Sequence, residues 1–171
     1  MIDSDADKSK FEILYSEYKN LMYYTANRIL RNSSDAEDVV HQAFLKVIEI
    51  LDTISSPRCH KTRALLVTIT EHKAIDLYRE KQRRNVLPLA EEYIGAAPAA
   101  EIERLAERDT LAAAIASLPP RYRSVLLLRY DCGYSNAEIA NILDTTEPNV
   151  RKLIQRAKEK LSAALSGMEE P

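Results

Sequence analysis

Glycine, tryptophan and cysteine are scarce in this sequence, and each shortage excludes a class of protein. Its 171 residues include three scattered glycines and no tryptophan. Phosphate-cradling loops need clustered glycines, so nucleotide-binding enzymes are disfavoured. The two cysteines, Cys59 and Cys132, are far apart, and neither has a second cysteine or a histidine at zinc spacing. The sequence therefore supports neither a disulfide framework nor a zinc site, and we expect no metal and no cofactor.

Long hydrophobic runs are also missing, as is a charged leader followed by an apolar core. We therefore expect no membrane insertion and a cytoplasmic location.

The formal net charge is only -2, which argues against indiscriminate coating of nucleic acid. Local basic patches are therefore the expected source of any DNA contact. Hydrophobic residues make up 46% of the chain, enough to build the core of one ordinary domain or two small ones.

The stretch from Tyr134 to Leu161 predicts a helix-turn-helix. Ser135 and Glu138 have the spacing of a capping box, which starts a first helix. The apolar pattern of that helix breaks before Thr146, which is a suitable N-cap for a second helix. Pro148 is tolerated there because it falls in the first turn. A connection this short fits a corner between two helices.

The second helix of this motif has a basic face opposite its apolar stripe. Arginine and lysine neutralise phosphates or bond guanine, and asparagine or glutamine pairs with adenine, so such a face suits the major groove. A solvated basic helix is the alternative. The adjoining turn and the two caps favour DNA reading. The predicted reading residues are Asn149, Arg151, Lys152, Gln155 and Arg156.

Two helices in the first third of the chain are each predicted to begin at a capping box. The boxes are Ser9 with Glu12 and Ser34 with Glu37. The first helix is expected to reach about Leu30, and the second to run over about 35–52. The outer side of the second helix, which includes Lys46, is by default a solvated face. It could equally dock another protein.

A long third helix is predicted from about Thr62 to Arg84. Apolar residues surround it, so it should be central to its domain or covered twice. We interpret His72 and Asp76 as a hydrogen-bonded pair rather than a catalytic dyad, because no nucleophile or metal ligand adjoins them. Basic residues outnumber acids along this stretch and mark a second nucleic-acid face. The basic residues are Lys61, Arg63, Lys73, Arg79, Lys81, Arg83 and Arg84.

The composition changes between Asn85 and Ala100, where proline, glycine and glutamate replace the apolar period. We therefore expect two small all-α domains joined by a flexible acidic linker. The predicted domains cover residues 1–85 and 99–171, and the linker covers residues 86–98. The second domain should open with a helix over about 99–117. A later short helix is closed by Gly133.

The order of these motifs resembles that of the extracytoplasmic-function sigma factors, small bacterial sigma subunits of RNA polymerase with two conserved regions. The resemblance covers nearly the whole chain. Residues 35–45 and 64–79 look like parts of the family's region two, and residues 118–130 with the helix-turn-helix look like region four. The resemblance implies a sigma factor that binds core RNA polymerase, directs it to promoter DNA and is not itself an enzyme.

The resemblance also implies roles for individual surfaces. Asp38, His41 and Gln42 would dock on the largest polymerase subunit. The loop over 53–62 and the start of the long third helix would capture a flipped base of the minus-ten element, and the recognition helix would read the minus-thirty-five element. The linker would pass through polymerase channels that later hold nascent RNA, and an anti-sigma factor is an expected partner. The residues assigned to the minus-ten region are Arg63, Lys73, Arg79, Lys81, Arg83 and Arg84.

Three positions depart from the family's pattern. His41-Gln42 replaces the usual Gln-Glu, His72 stands where asparagine is common, and Asp144 replaces a turn glycine. Because aspartate tolerates the left-handed conformation, the turn should survive.

Two other interpretations of the protein's function stay open. One is an operator-binding regulator that never enters polymerase, and the other is an interaction protein that keeps the sigma fold without promoter activity.

Overall fold

The computed structural model describes residues 4–85 and 110–169, and every regular element within these ranges is helical. The chain divides into two compact units, Met1–Leu89 and Ala90–Pro171. The prediction of an all-α protein is confirmed. The predicted linker, and the first part of the helix expected from residue 99, lie outside the described residues.

In the first unit, three helices pack against one another. They are α1 (Asp5–Leu30), α2 (Ser33–Glu49) and α3 (His60–Asn85), with a short 3₁₀ turn at Leu51–Thr53. The largest fully buried side chains at their contacts include Leu14, Met22, Val39, Val47, Leu65, Leu66 and Ile69. α3 is buried without interruption from residue 65 to residue 71. This confirms that it is covered on several sides.

α1 begins four residues before the predicted capping box. The Ser4 hydroxyl accepts a hydrogen bond from the backbone N–H of Asp7 at 3.0 Å, so Ser9 and Glu12 lie inside the helix. In the interior of a helix the backbone N–H groups already have partners, and the Ser-x-x-Glu spacing then has no cap to form. The predicted start of α1 is therefore wrong.

α2 also starts earlier than predicted, because Asn32 rather than Ser34 is its N-cap. The Asn32 carboxamide oxygen accepts a hydrogen bond from the backbone N–H of Asp35 at 3.0 Å. The helix ends at Glu49. Lys46 is buried rather than solvated, with 5% of its surface exposed. Its ammonium reaches the Glu49 carboxylate at 3.0 Å, so the aliphatic stem lies in the core while the charge stays at the edge.

In the second unit the longest helix packs against the three shorter α-helices before it. The elements are α4 (Thr110–Ser117), α5 (Pro120–Leu126), a π-helical turn at Leu127–Asp131, α6 (Asn136–Ile142) and α7 (Glu147–Glu169). The core side chains include Ala114, Leu118, Val125, Leu128, Ile139, Val150 and Ala157. Gly133 has a φ of 77°, which confirms the predicted left-handed stop.

Candidate nucleic-acid and polymerase interfaces

The helix-turn-helix forms at the predicted residues. Ser135 Oγ accepts from Glu138 N at 3.2 Å and Glu138 Oε2 accepts from Ser135 N at 2.7 Å, so the capping box is confirmed. Thr146 Oγ1 accepts from Asn149 N at 3.4 Å at the start of α7. Between the two helices Asp144 has a φ of 50°, which confirms that aspartate takes the left-handed position of the turn.

Asp144→Val should destabilise the second unit more than Asp144→Gly does. A β-branched residue is strained at positive φ by about 1–2 kcal/mol, while glycine adopts this conformation freely. We expect the valine variant to lower the thermal midpoint by roughly 5–15 °C. Circular dichroism of the two variants and the parent chain measures the difference. Equal midpoints for valine and glycine would show that the turn does not need this conformation.

α7 carries the predicted reading residues on the side opposite its core. Val150, Leu153, Ile154 and Ala157 are buried and pack inward. The reading residues Arg151, Lys152, Gln155 and Arg156 are exposed, and Asn149 is half-buried at the start of the helix. The structure therefore brings the five residues to one continuous polar side of α7. We call this side the reading face.

Two of these side chains form hydrogen bonds within the motif. Arg151 Nη2 donates to Glu147 Oε1 at 2.7 Å, one helical turn away. Asn149 Nδ2 donates to Thr145 Oγ1 at 2.7 Å. These partners belong to the turn and to the first turn of α7, so both side chains have contacts within the motif before any ligand binds.

A cleft of about 350 Å³ borders the reading face. It is lined by Arg129, Tyr130, Asn136, Arg151, Ile154, Gln155 and Lys158. Three of these side chains are cations and none is an acid. Lys158 Nζ lies 5.2 Å from the Tyr130 ring centroid, and Arg129 Nη1 donates to Tyr134 O at 3.0 Å. The cleft can therefore accept an anionic group beside the reading face.

Sequence reasoning missed Arg129, Tyr130 and Lys158. Lys158 lies two helical turns after Arg151, and this seven-residue spacing could have placed it on the same side of α7. The other two residues lie on the π-helical turn, where the usual helical spacing does not hold.

The residues predicted to dock on polymerase lie on one exposed face of α2. Asp38, His41 and Gln42 are all exposed. Leu45 follows them at helical spacing with 63% of its surface exposed. Sequence reasoning missed this leucine, although positions 38, 41, 42 and 45 follow the three-and-four period of one helix face. The four residues form what we call the docking face.

The basic residues of α3 do not form one patch. Arg63 and Arg84 are 21 residues apart in one helix, which separates them by about 30 Å. Lys81 is ion-paired with Asp35 at the start of α2, and Arg84 is paired with Glu80. Arg63, Lys81, Arg83 and Arg84 are exposed, whereas Lys73 and Arg79 are half-buried. The basic end of α3 is therefore a separate site from its N-terminal turn.

The loop between the 3₁₀ turn and α3 is attached to α1. Tyr18 Oη donates to Pro57 O at 2.8 Å. Arg58 Nε donates to Glu17 Oε1 at 3.2 Å. Burial raises the pKa of the Tyr18 hydroxyl, and nearby Cys59 and Glu17 raise it further. The hydroxyl therefore stays protonated and able to donate at neutral pH.

Thr62, in the first turn of α3, binds two residues of this loop, Ser56 and Cys59. Thr62 Oγ1 donates to Ser56 O at 2.6 Å, and Cys59 Sγ lies 3.3 Å from the same hydroxyl. Hydrogen bonds from Thr62, first from its hydroxyl and then from its backbone, lower the pKa of the Cys59 thiol. Since the hydroxyl has a single hydrogen, it can stabilise the thiolate only by releasing Ser56 O.

The residues that the structure describes hold neither a cluster of metal ligands nor a membrane-spanning helix. No group of three or more histidine, cysteine, aspartate or glutamate side chains that could hold a metal occurs within 4–85 and 110–169. No helix in these ranges is long and apolar enough to cross a membrane. His72 is half-buried and Asp76 is exposed, and their pairing stays a prediction.

Comparison with known families separates the chain into the same two parts. The family model for sigma-70 region 2 matches residues 14–84, and the model for sigma-70 region 4 matches residues 108–161. Together they match more than two thirds of the chain. The first match contains the docking face and most of α3, and the second contains the reading face and the cleft.

Individual proteins are similar over almost their whole length. The ECF RNA polymerase sigma factor SigW of Bacillus subtilis is 27% identical, with 93% of this chain and 90% of the relative covered. The ECF RNA polymerase sigma factor SigL of Mycobacterium tuberculosis is 26% identical, with 94% and 91% covered. The solved structure of CnrH in complex with the cytosolic domain of CnrY is 28% identical, with a TM-score of 0.41 and 92% and 88% covered.

Proposed function

The chain belongs to the sigma-70 family and to its extracytoplasmic-function group, and it is an alternative sigma factor; from this premise we propose which of its surfaces bind core RNA polymerase and which bind promoter DNA. The observation that carries the proposal is the division of surfaces between the two units. One unit has an exposed docking face and a basic helix end, and the other has a helix-turn-helix with a polar reading face.

The docking face of α2 binds the largest subunit of core RNA polymerase in this proposal. Asp38 supplies a negative charge, His41 and Gln42 supply hydrogen bonds, and Leu45 supplies an apolar contact. Protein interfaces combine apolar contacts with polar ones. The exposure of all four side chains supports this assignment, because no change in the packing of α2 is needed to reach them.

The reading face of α7 binds the minus-thirty-five element in the major groove. A helix in the major groove has a DNA backbone along each of its sides. The cleft lies along one side of the reading face, since Arg151 and Gln155 line both. Arg129 and Lys158 then contact a phosphate of one strand while the reading face contacts base edges.

Replacing Arg129 and Lys158 together by glutamine should reduce the salt dependence of duplex binding without changing base preference. Each lost phosphate contact lowers the slope of log affinity against log salt concentration by about 0.9, because fewer counterions are released. Arg121→Gln is the control, since Arg121 is exposed in the same unit but does not line the cleft. Fluorescence anisotropy across a salt series measures the slopes. A double variant with the slope of the parent chain would remove the cleft from the interface.

The first unit binds the minus-ten element. The loop before α3 receives a base extruded from the duplex, and the basic end of α3 holds the adjoining phosphates. Extrusion costs a few kcal/mol, so a site that binds only the extruded base both melts and selects the element. The six residues proposed here remain Arg63, Lys73, Arg79, Lys81, Arg83 and Arg84. The ion pairs of Lys81 and Arg84 make Arg83 the most available cation of the helix end.

The remaining parts of the proposal concern the whole chain. Residues 1–85 and 99–171 act as the two functional domains, and residues 86–98 link them through the polymerase channels. The protein works in the cytoplasm, where transcription takes place, and performs no catalysis of its own. Membership of the extracytoplasmic-function group supports an anti-sigma factor as a further partner.

The test is a pull-down with sigma-free core RNA polymerase, followed by transcription in vitro from a library of genomic fragments. Binding to core with discrete start sites is the expected result. Absence of core binding combined with sequence-specific duplex binding would favour an operator-binding regulator. Core binding without start sites would favour an interaction protein that has lost promoter activity.

A further inference from the structure

The loop that joins the 3₁₀ turn to α3 is irregular, yet both of its ends are fixed. Ile54 N donates to Leu51 O at 3.1 Å, and Arg63 N donates to Cys59 O at 3.1 Å. The middle of the loop, residues 55–58, is held differently. Side chains from α1 and α3 bind its carbonyl oxygens and its arginine.

Tyr18 provides the attachment from α1. The residue is 9% exposed, so its ring is fixed among the helices of the first unit. Its hydroxyl therefore has a defined position, and its 2.8 Å bond sets the distance of Pro57 O from α1. The neighbouring pair of Arg58 with Glu17 is largely exposed, and exposed ion pairs hold geometry weakly. Tyr18, together with the bond from Thr62 to Ser56 O, thus determines where the middle of the loop lies.

A loop that binds an extruded base gains from being held before the base arrives. An unattached loop must lose conformational freedom on binding, and this loss weakens the complex. A loop already fixed by Tyr18 and Thr62 avoids that loss. Both bonds exist in the protein without DNA.

From these contacts we infer that Tyr18 is a positioning residue for promoter melting. Its hydroxyl, through Pro57 O, holds residues 54–59 in the conformation that receives an unstacked base of single-stranded DNA. The inference rests on the proposed minus-ten role of this loop. Tyr18 does not itself contact the base.

The test compares Tyr18→Phe with Tyr24→Phe. Each substitution removes one hydroxyl oxygen from α1 and keeps the ring. Tyr24 is 61% exposed, and its ring lies against Arg28 rather than against the loop. Loss of the Tyr24 hydroxyl therefore leaves the bond from Tyr18 to Pro57 intact.

The first readout needs neither DNA nor polymerase. Modification of Cys59 by a thiol reagent is followed by peptide mass mapping, with Cys132 of the second unit as the internal reference. At a pH of about 9.5, above the ordinary pKa of a thiol, accessibility rather than ionisation limits the rate. We expect Tyr18→Phe to raise the rate at Cys59 about 3–10-fold. Tyr24→Phe should leave it unchanged.

The second readout uses the full chain bound to core RNA polymerase. The probe is a promoter fragment from the transcription library whose non-template minus-ten strand is left unpaired. Tyr18→Phe should lower the affinity for this probe about 3–10-fold. Affinity for core polymerase and for the upstream duplex should not change. Tyr24→Phe should behave as the parent chain in all three measurements.

Faster modification of Cys59 together with weaker binding of the unpaired strand supports the inference. An unchanged Cys59 rate overturns it, because the hydroxyl then does not hold the loop. A raised Cys59 rate with unchanged affinity for the unpaired strand also overturns it, because binding of the base then does not need the loop to be held. Equal losses in both tyrosine variants would mean a general effect on α1 and would overturn it as well. Failure of the parent chain to bind core polymerase would instead contradict the proposed function.

Discussion

Asp38→Arg should weaken binding to core RNA polymerase by about 30-fold or more. Asp38 is exposed on the docking face, and reversing its charge places a cation where a partner surface is arranged to meet an anion. Such like-charge contacts cost several kcal/mol, and a loss of about 2–3 kcal/mol corresponds to a factor of roughly 30–150 in affinity. Titration of labelled chain with sigma-free core polymerase measures the change.

Two further variants show whether the loss of core binding is specific to the docking face. Leu45→Asp should weaken core binding about tenfold, because it replaces the apolar contact of the docking face by a charge. Glu12→Arg, a charge change at an exposed position of α1, should change core affinity less than about twofold. Binding of the upstream duplex by the full chain should be the same for all three variants. Core affinity of Asp38→Arg equal to that of the parent chain would rule out the docking face.

Arg151→Ala and Arg156→Ala should each weaken binding to the upstream element by about 1–3 kcal/mol if the side chain contacts a base. Arg151 should show the clearer loss of base preference, because it is nearer the start of α7 and the N-terminal residues of a recognition helix contact base edges. Loss of a phosphate contact would instead reduce affinity for all sequences alike and lower the salt slope. Binding of a randomised upstream element, followed by sequencing, separates these two outcomes.

Lys160→Ala is the matched control for these two variants. Lys160 is an exposed cation of the same helix, but it lies 5.5 Å from the Tyr122 ring centroid rather than on the reading face. Its loss should leave base preference unchanged. If Arg151→Ala and Arg156→Ala both bound like the parent chain, the reading face would have to lie elsewhere on the second unit.

Local signals in the sequence predicted the helix-turn-helix closely. The capping box of Ser135 and Glu138, the N-cap Thr146 and the left-handed Asp144 each depend on a few adjacent residues. The same capping pattern failed at Ser9, because Ser4 starts α1 earlier. A short pattern can identify a possible cap, but it cannot decide between two that compete within one helix.

Contacts between distant residues could not be predicted. The cleft combines the π-helical turn with α7, and the attachment of Pro57 to Tyr18 joins residues 39 positions apart. Neither follows from periodicity, since each depends on how whole helices pack. Lys46 shows the same limit within one helix, because a lysine that the sequence assigned to the polar side of α2 is buried when its stem meets the core.

The most direct test of the account is permanganate footprinting of a promoter obtained from the transcription library. Core polymerase alone and the chain alone should each leave the thymines of the minus-ten region unreactive. Together they should make these thymines reactive and protect the upstream element. Protection of the upstream element by the chain alone, with no reactive thymines after core polymerase is added, would contradict the assignment of promoter recognition and melting to these two units.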